Sequence, residues 1–452
     1  MLDIRFIREN ADLVQEKSKQ KGYDVDIRAL LEADKNYIAK EQEVNELRTL
    51  KNQQNHGLSE APSAEQVVEG KELRQKIDEA EKAKIKYFFK RQELLRAVPN
   101  MPIYEGEYKV PVGASEDENV FGELKGKKLE FDFKPKTHWE ITEARGIIDK
   151  KRAAKVAGSR FAYIKGDLVR LQFALIQFVI DTLTNKETLE KIIQDAGLKD
   201  ASSNPFVPVL PPLMIRTEVF EAMDRLEPRD ERYKVGSDED NLWLQGSAEH
   251  TLGPMYMNET LSFDDMPIRL LGYATSFRRE AGTYGKDTEG IIRMHQFDKL
   301  EMESFSTPSN GLNEHLFLIA IQEYFLTTLG IPYRVVQKCT ADIGKPNARG
   351  IDMEAWLPGA DRFMETHTAD YMTNYQALDL QTRVFIPAVE ISGGVQPELA
   401  NQAGSKFVHT NDATAFALGR TMVAIIENFQ TAEGTVKIPE ALQKYMSGQT
   451  EI

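Results

Sequence analysis

The sequence predicts an α+β protein, in which an N-terminal antiparallel coiled-coil helical hairpin precedes a mixed, mainly antiparallel sheet flanked by helices. Three observations lead to this fold class. Apolar residues recur every seven positions in two long segments of the first hundred residues. A short cluster of turn-forming residues separates these segments. From about His138 onward, helical stretches alternate with short β-rich runs, a pattern typical of mixed domains.

The first long helix is predicted from Asp26 to about Gln54, a stretch without Gly or Pro. Leu30, Tyr37 and Val44 recur in it at seven-residue intervals. This is the repeat with which two helices pack side by side in a coiled coil.

A second helix is predicted after a turn at residues 56–62, which contain Gly, Ser and Pro. Ser63 and Gln66 have the spacing of a capping box, and the helix should continue to about Ala97. One seven-residue series along it is apolar: Leu73, Ala80, Tyr87 and Leu94. The offset series is apolar only at its ends, which weakens the seam: Ile77, Lys84, Arg91 and Val98. A helical hairpin is favoured, and an ordinary helical bundle is the alternative.

Composition changes along the chain predict three regions. Residues 1–105 should form the helical arm, because prolines directly after Val98 end the second helix. Residues 106–135 are Gly-rich and charged and predict a linker with short strands. Residues 136–452 should form the main domain. Four β-rich runs predict strands in it: Asn241–Gln245, Ile268–Tyr273, Tyr333–Val336 and Ile351–Trp356.

The overall composition fits a protein with a large core. The chain has 452 residues, 41% hydrophobic and 28% charged, which predicts two or three domains and excludes wholesale disorder. The single cysteine, Cys339, excludes an intramolecular disulfide and a multi-cysteine zinc site and fits a reducing cytosol. The longest apolar stretch, Leu171 to Leu183, is too short to span a bilayer, and the charged N-terminus is unlike a signal peptide. We therefore expect a soluble, cytoplasmic protein.

Three common catalytic or nucleotide-binding motifs are missing from the sequence. There is no G-x-G-x-x-G, no phosphate-binding G-x-x-x-x-G-K-[S/T] and no H-E-x-x-H. Any nucleotide site must therefore use side chains rather than a glycine-rich loop.

The segment from Ser276 to Ser304 concentrates charged groups in a predicted strand hairpin. Arg278 and Arg279 offer planar cations suited to phosphate oxygens, and Glu280 could accept from an amino group. Gly282 and Gly285 permit a tight loop between the two strands. Five alternating residues share one face of the second strand: Arg293, His295, Phe297, Lys299 and Glu301. From these residues alone, two interpretations of the segment are open: a ligand site, and a solvated, salt-bridged hairpin.

Two stretches of this segment resemble motif 2 of class II aminoacyl-tRNA synthetases, in the form typical of seryl-tRNA synthetases. They are the F-R-x-E-A-G start and the R-x-H-Q-F-x-K-x-E continuation. Other stretches resemble the same family, in order, along nearly the whole chain. They begin at His138, Arg152, Phe206 (motif 1), Ser247, Glu365, Phe407 and Ala417 (motif 3). The N-terminal hairpin is similar to the family's tRNA-binding arm.

The resemblance implies a class II synthetase-like sheet, with residues 136–452 as the catalytic aminoacylation domain of a homodimer. It implies activation of L-serine with ATP and Mg²⁺ to seryl-adenylate, then transfer of serine to the 3′ end of tRNA(Ser). Whether tRNA(Sec) is also charged stays open. Because Cys339 is the only cysteine, the sequence does not match the thiolate-zinc variant of this specificity, and no zinc is expected.

The resemblance also implies roles for the nucleotide-binding residues. Arg278 matches the α-phosphate clamp, and Arg420 matches the arginine that holds the far phosphates. Phe297 matches the ring on which adenine stacks, with Glu280 at the adenine edge. Glu365, assisted by Thr368, matches a ligand of Mg²⁺. The other residues implied in nucleotide binding are Arg279, Arg293, Thr366 and His367. A surface salt bridge is the ordinary alternative for the arginines.

For serine, the resemblance implies that Glu249 and Glu301 receive the ammonium group. Ser247 and Ala248 belong to the serine loop, Thr414 lies near the side-chain hydroxyl, and Arg278 also contacts the amino acid. A pocket that hydrogen-bonds a hydroxyl can reject alanine strongly. No histidine is expected to take part in catalysis, and no general base is needed because the attacking carboxylate is already ionised.

Several positions depart from the family's pattern and leave the strictness of serine selection open. Ser247 stands where Thr is usual, Asp412 begins a segment usually closer to N-G-S-G, and Leu378-Asp379 replaces an Arg pair. Residues 186–203 and 385–406 are predicted to be insertions that form surface loops.

Two other functions stay open beside an active seryl-tRNA synthetase. One is a relative that loads an amino acid onto a carrier protein, although such relatives lack the long arm. The other is a catalytically inactive, synthetase-like tRNA-binding protein, which loss of the motif arginines would indicate.

The distribution of charge shows where RNA could bind. The net charge is −14, but residues 1–100 hold 19 basic and 19 acidic residues, and the remaining residues hold 38 and 52. The acidity therefore belongs to the main domain and does not exclude RNA at the arm. The second arm helix concentrates basic residues that suit phosphate contact or, alternatively, a solvated face: Lys82, Lys84, Lys86, Lys90 and Arg91.

Overall fold

The computed structural model describes residues 1–56, 63–237, 239–281, 290–387 and 403–452. The chain divides into two compact units, Met1–Met101 and Pro102–Ile452. Most of the predicted turn between the arm helices, and the predicted loop with Gly282 and Gly285, lie outside the described residues. No helix in the described ranges is long and apolar enough to cross a membrane.

The first unit contains two short and two long helices: α1 (Ile4–Glu9), α2 (Ala11–Gln20), α3 (Ile27–His56) and α4 (Ala64–Ala97). The two long helices confirm the predicted hairpin. The capping box is also confirmed, because the Gln66 backbone N–H donates to Ser63 Oγ at 3.2 Å and the Ser63 N–H donates to Gln66 Oε1 at 2.8 Å.

The seam between α3 and α4 combines apolar burial with ion pairs. Its buried apolar residues include Leu30 and Val44 on α3 and Ile77, Ala80 and Leu95 on α4. The two polar positions of the offset series form ion pairs across the seam. Lys84 lies 3.1 Å from Glu41, and Arg91 lies 3.3 Å from the buried Asp34. Asp34 precedes Glu41 on α3, whereas its partner Arg91 follows Lys84, the partner of Glu41, on α4. The two helices of the hairpin are therefore antiparallel.

The second unit is built on strands whose bounds are as follows: β1 (Val120–Phe121), β2 (Ile148–Asp149), β3 (Tyr163–Ile164), β4 (Val207–Val209), β5 (Met214–Arg216), β6 (Lys234–Val235), β7 (Leu242–Leu244), β8 (Thr260–Ser262), β9 (Ile268–Phe277), β10 (Gln296–Ser306), β11 (Tyr333–Gln337), β12 (Arg349–Leu357), β13 (Arg362–Thr373), β14 (Arg383–Ile386), β15 (Gly404–Phe407) and β16 (His409–Ala417). The four strands predicted from the sequence are confirmed as β7, β9, β11 and β12.

The largest sheet has eight strands in the order β1-β11-β12-β13-β16-β10-β9-β4. Its neighbouring pairs are antiparallel except β4 and β9, which run parallel. The predicted mixed, mainly antiparallel sheet is therefore confirmed.

Helices flank this sheet with the following bounds: α5 (His138–Arg145), α6 (Lys150–Ala157), α7 (Asp167–Leu183), α8 (Lys186–Asp195), α9 (Thr217–Ala222), α10 (Glu249–Leu252), α11 (Gly311–Leu329), α12 (Tyr375–Leu380), α13 (Leu418–Asn428) and α14 (Glu440–Gln443). The main core lies between the sheet and α7, α11 and α13. Its aromatic centre is formed by Phe178, Phe325 and Phe416, with ring centroids 5.0–6.4 Å apart.

Three local expectations need correction. Residues 186–203 are not a surface loop throughout, because α8 occupies Lys186–Asp195 and buries Leu189 and Ile192. Apolar spacing on one helix face explains that burial. The second predicted insertion, residues 385–406, begins in β14 and ends in β15, and these two strands pair with each other. Residues 388–402 lie outside the described residues. Arg293 and His295 precede β10 and are not part of its alternating face.

Candidate active site

Strand β10 separates the core from a polar face. Leu300 and Met302 point into the core, so Phe297, Lys299 and Glu301 share the opposite face, as predicted. In the antiparallel register, Thr414 of β16 lies opposite Glu301. Side chains of such cross-strand pairs lie within contact range.

A cavity of about 220 Å³ opens on this face. Nine of the predicted site residues line it: Arg278, Glu280, Arg293, Phe297, Glu365, Thr366, Thr368, Thr414 and Arg420. An adjoining cavity of about 270 Å³ is mainly apolar and shares Phe297 with the first. The aromatic ring therefore stands between an apolar and a cationic space.

Two arginines from separate elements face the first cavity. Arg278 follows β9, donates from Nε to the Gly246 carbonyl at 2.9 Å and lies 5.4 Å from the Phe297 ring centroid. Arg420, in the first turn of α13, donates to Glu365 Oε1 at 2.9 Å and to the Glu365 carbonyl at 2.9 Å. Planar guanidinium groups held in this way suit phosphate oxygens.

Glu365 is an accessible carboxylate among these cations, with 48% of its side chain exposed. Desolvation works to raise its pKa, but Arg420, Lys338 and Arg278 together hold that pKa below the ordinary value. The group is therefore ionised at neutral pH. We call Arg278, Arg420 and Glu365 the open end of the site.

Further along the wall of the cavity, Arg293 donates to Glu280 Oε2 at 3.2 Å. Glu280 has a left-handed backbone, with φ of 51°. This conformation is uncommon for a residue with a side chain and occurs often at functional sites.

Carboxylates lie at the other end of the β10 face, and we call Ser247, Glu249, Glu301 and Asp412 the buried end of the site. Glu301 accepts from Ser247 Oγ at 2.9 Å and also contacts Lys299. Arg225 Nε lies 3.4 Å from Glu249 Oε1, and Arg225 Nη2 lies 3.2 Å from Asp412 Oδ2. Side-chain exposure is 0% for Glu301 and 3% for Asp412.

Burial governs the ionisation of this end, and the carboxylates differ in how strongly cations oppose it. For Glu249, desolvation works to raise the pKa, but the charge of Arg225 and a hydrogen bond with His250 outweigh it and hold the pKa well below its usual range. For Glu301, desolvation raises the pKa although Lys299 opposes it. Desolvation raises the pKa of Asp412 well above its usual range, with Glu249 adding to the effect and Arg225 opposing it.

Glu303, two residues beyond Glu301 on the same face, extends this carboxylate row. Desolvation, then the charges of Glu249 and Glu301, raise its pKa well above the ordinary value. Neither of its carboxylate oxygens has a hydrogen-bond partner among the described residues. Burial of this kind favours the protonated, neutral form of the carboxylate.

The site offers two sets of oxygens that could hold a cation. Glu249, Glu301 and Asp412 each present an oxygen within 4.8 Å of the others. Arg225 and Lys299 already lie against these carboxylates, so a metal ion there would have to displace them. At the open end, the Glu365 carboxylate and Thr368 both line the cavity and are hard oxygen donors, as Mg²⁺ requires.

Six predicted residues do not line the cavity: Arg279, Ser247, Ala248, Glu249, Glu301 and His367. Four of them lie at or beside the buried end: Ser247, Ala248, Glu249 and Glu301. Arg279 is exposed and lies over the Tyr233 ring, 5.7 Å from its centroid. His367 is buried against Phe416, and burial lowers its pKa to about 3. The structure thus brings neither Arg279 nor His367 to the cavity.

Arg225 and Glu303 are charged residues of the site for which sequence reasoning assigned no role. The alternation that selected Glu301 also covers Glu303, and extending it by two residues would have found this carboxylate. Arg225 lies in the loop after α9, and no local pattern indicates that it reaches Glu249 and Asp412.

This sheet, with arginines from β9 and α13 facing one cavity, is the architecture of a class II tRNA synthetase. The family described as "tRNA synthetase class II core domain (G, H, P, S and T)" matches residues 233–429. The family "Seryl-tRNA synthetase N-terminal domain" matches residues 1–102.

Full-length relatives narrow this class to one specificity. A serine–tRNA ligase of Geotalea uraniireducens is 36% identical, over 100% of both chains. A crystal structure of seryl-tRNA synthetase from Pyrococcus horikoshii, complexed with ATP, is 33% identical with a TM-score of 0.84 and covers 100% of this chain and 99% of its own. A cytoplasmic serine–tRNA ligase from Naegleria fowleri, in complex with AMP, is 26% identical with a TM-score of 0.82, over 100% and 98% of the two chains. The chain belongs to the seryl-tRNA synthetase family.

Proposed function

We propose that this protein is an ATP-dependent serine–tRNA ligase, which activates L-serine to seryl-adenylate and transfers serine to the 3′ end of tRNA(Ser). The observation that carries the proposal is the order of groups on β10. An aromatic ring, an amine and a carboxylate lead from an arginine-lined cavity to a buried row of carboxylates. This order matches a substrate pair in which a polyanionic nucleotide meets the ammonium of a small amino acid.

ATP is proposed to bind in the open end. Adenine stacks on Phe297, beside the apolar cavity that shares this ring, and Glu280 contacts the adenine edge. Arg278 binds the α-phosphate, while Arg420 and Arg293 bind the phosphates of ATP that lie beyond it. The solved relatives complexed with ATP and with AMP support a nucleotide substrate.

Mg²⁺ is proposed to accompany the nucleotide. Glu365 and Thr368 would hold it, and the phosphates of ATP would supply most of its other ligands. When bound, the ion neutralises phosphate charge. Arg420 contacts Glu365 in the structure and would exchange this carboxylate for phosphate oxygens.

L-serine is proposed to bind with its ammonium at Glu249 and Glu301 and its hydroxyl near Thr414. Its carboxylate, already ionised at neutral pH, attacks the α-phosphate in line, and the bond from the α-phosphate to the departing pyrophosphate breaks while Arg278 stabilises the developing charge. No imidazole is needed as a base. Consistent with this, burial lowers the pKa of His250 to about 4, so the ring is neutral at pH 7.

The helical arm is proposed to bind tRNA through α4. Lys82, Lys86 and Lys90 are exposed, whereas Lys84 and Arg91 are engaged in the ion pairs of the seam. Replacing the three exposed lysines with Ala should weaken tRNA charging and its salt dependence, because fewer phosphate contacts release fewer counterions. ATP–pyrophosphate exchange, which needs no tRNA, should stay unchanged. Whether tRNA(Sec) is also charged is tested by measuring its charging with the wild-type protein and with the same variants.

A homodimer is proposed from the surface around β4. Val207 is 57% exposed, Leu210 81% and Met214 46%, and β4 is an edge strand of the eight-stranded sheet. Apolar edges of this kind are typical of interfaces. Sedimentation equilibrium should give twice the chain mass, and Leu210→Glu should shift it toward the monomer.

The test of the function is ATP–pyrophosphate exchange measured with each amino acid in turn. Serine should support exchange, and alanine should fail by orders of magnitude because it leaves hydroxyl-binding groups unpaired. If none of the amino acids supports exchange, an inactive tRNA-binding protein would be favoured. Exchange with serine but transfer to a carrier protein instead of tRNA would favour the carrier-protein ligase.

A further inference from the structure

The ammonium group of Lys299 lies where the proposed function places the ammonium of the substrate. Its Nζ contacts the Glu301 carboxylate and lies 3.2 Å from Ser247 Oγ. Both partners are buried, and Lys299 itself is only 6% exposed. A buried carboxylate needs a compensating cation, and here the chain supplies its own.

Lys299 also reaches the open end, because it lines the same cavity as Arg278, Arg420 and Glu365. Burial works to raise the pKa of Glu249 and that of Glu365, and Lys299 is among the cations that hold both values down. Its charge therefore acts on carboxylates at both ends of the site.

The second oxygen of Glu301 shows that the carboxylate is not saturated. Glu301 Oε1 is buried without a hydrogen-bond partner among the described residues. An incoming ammonium would meet this oxygen while Lys299 holds the other. Two ammonium groups on one carboxylate repel each other at such short range, most strongly in a water-poor site.

We propose that Lys299 is a displaceable stand-in for the amino acid's ammonium, which moves from Glu301 to the phosphates of ATP when both substrates bind. This inference rests on the proposed function. Lysine suits the exchange because its charge is compact and its four-carbon stem is flexible, whereas an arginine fork would be less easily displaced. The departing charge then lies beside the phosphates, where Arg278 and Arg420 already point.

The exchange couples the two substrates. ATP attracts Lys299 away from Glu301 and so makes room for serine, and serine releases Lys299 for ATP. By linkage, each substrate strengthens the binding of the other by the same factor. A lysine that served only as a fixed counterion would give no such coupling.

The test measures serine binding by calorimetry, with and without α,β-methylene-ATP, an analogue that cannot form the adenylate. In the wild-type protein, the analogue should strengthen serine binding about 10-fold, within the usual range of coupling between sites. In Lys299→Met, the factor should fall to about 1, whatever the absolute affinities. Lys165→Met, which removes a lysine paired with Asp149 outside the cavity, is the matched control and should keep the full factor.

A second variant carries the test if Lys299→Met does not fold. Glu301→Gln keeps the shape of the side chain but releases Lys299, so it should bind the ATP analogue several-fold more tightly while binding serine more weakly. Unchanged or weaker analogue binding in Glu301→Gln, or full coupling in Lys299→Met, would overturn the proposal.

The result also separates this inference from the function itself. If the wild-type protein binds serine and the analogue independently and still exchanges pyrophosphate, the ligase function stands and the displacement of Lys299 is rejected. If the wild-type protein neither binds serine nor supports serine-dependent exchange, the proposed function fails, and Lys299 loses its role with it.

Discussion

The open and buried ends of the site use opposite electrostatic arrangements on the same sheet face. At the open end, Arg278 and Arg420 are cations beside a cavity, and the carboxylate between them is 48% exposed. At the buried end, Glu301 is fully buried, and cations of the chain itself compensate the carboxylates. The open end is therefore suited to a large polyanion, and the buried end is suited to a small cation.

The largest expected effect belongs to the open end. Arg278→Ala should lower pyrophosphate exchange by about 10²–10³-fold, the usual cost of removing a group that stabilises charge in the transition state. Arg279→Ala should change exchange only a few-fold, because Arg279 lies over Tyr233 outside the cavity. Arg145→Ala, at the exposed end of α5, is the neutral control. Equal losses in Arg278→Ala and Arg279→Ala would show that motif 2 is wrongly placed.

An intermediate effect is expected at the buried end. Glu249→Gln should raise the KM for serine about 10–100-fold, since a hydrogen bond to a charged group contributes about 1.5–3 kcal/mol. The KM for ATP should hardly change, because Glu249 does not line the cavity. Glu81→Gln, which removes one member of an ion pair with Arg48 within the helical arm, is the matched control. A parallel rise in both KM values would contradict the division into two ends.

The smallest effect concerns stability and pH. Desolvation, more than any other cause, raises the pKa of Glu303 in the folded protein well above its ordinary value. The folded state therefore holds a proton that the unfolded state has lost, so this group makes stability fall as pH rises above about 4.5. Replacing it with Gln removes that loss, by at most about 1.4 kcal/mol per pH unit.

Urea unfolding of wild type and Glu303→Gln between pH 5 and pH 8 measures this difference. The variant should gain stability relative to the wild-type protein as pH rises. A constant difference across the range would mean that Glu303 titrates alike in the folded and unfolded chain, and that the buried end is less sealed than the structure indicates.

Much of the fold could be predicted because its signals are local. Ser63 and Gln66 specify a helix start through contacts three residues apart, and alternation along β10 selects Phe297 and Glu301 by the geometry of a strand. Residues 186–203 are predicted to form a surface loop, but Leu189 and Ile192 lie three residues apart on one face of α8 and pack into the core.

What the sequence alone determined is the list of parts: a helical arm, a mixed sheet, and the arginines and carboxylates of a family whose motifs occur in order. Only the tertiary structure decided how those charges are compensated. It placed Arg225 between Glu249 and Asp412, and Lys299 between Glu301 and the open cavity. The physical reason is that ionisation and pairing depend on burial and on distances between residues far apart in the chain, and no local pattern encodes either quantity.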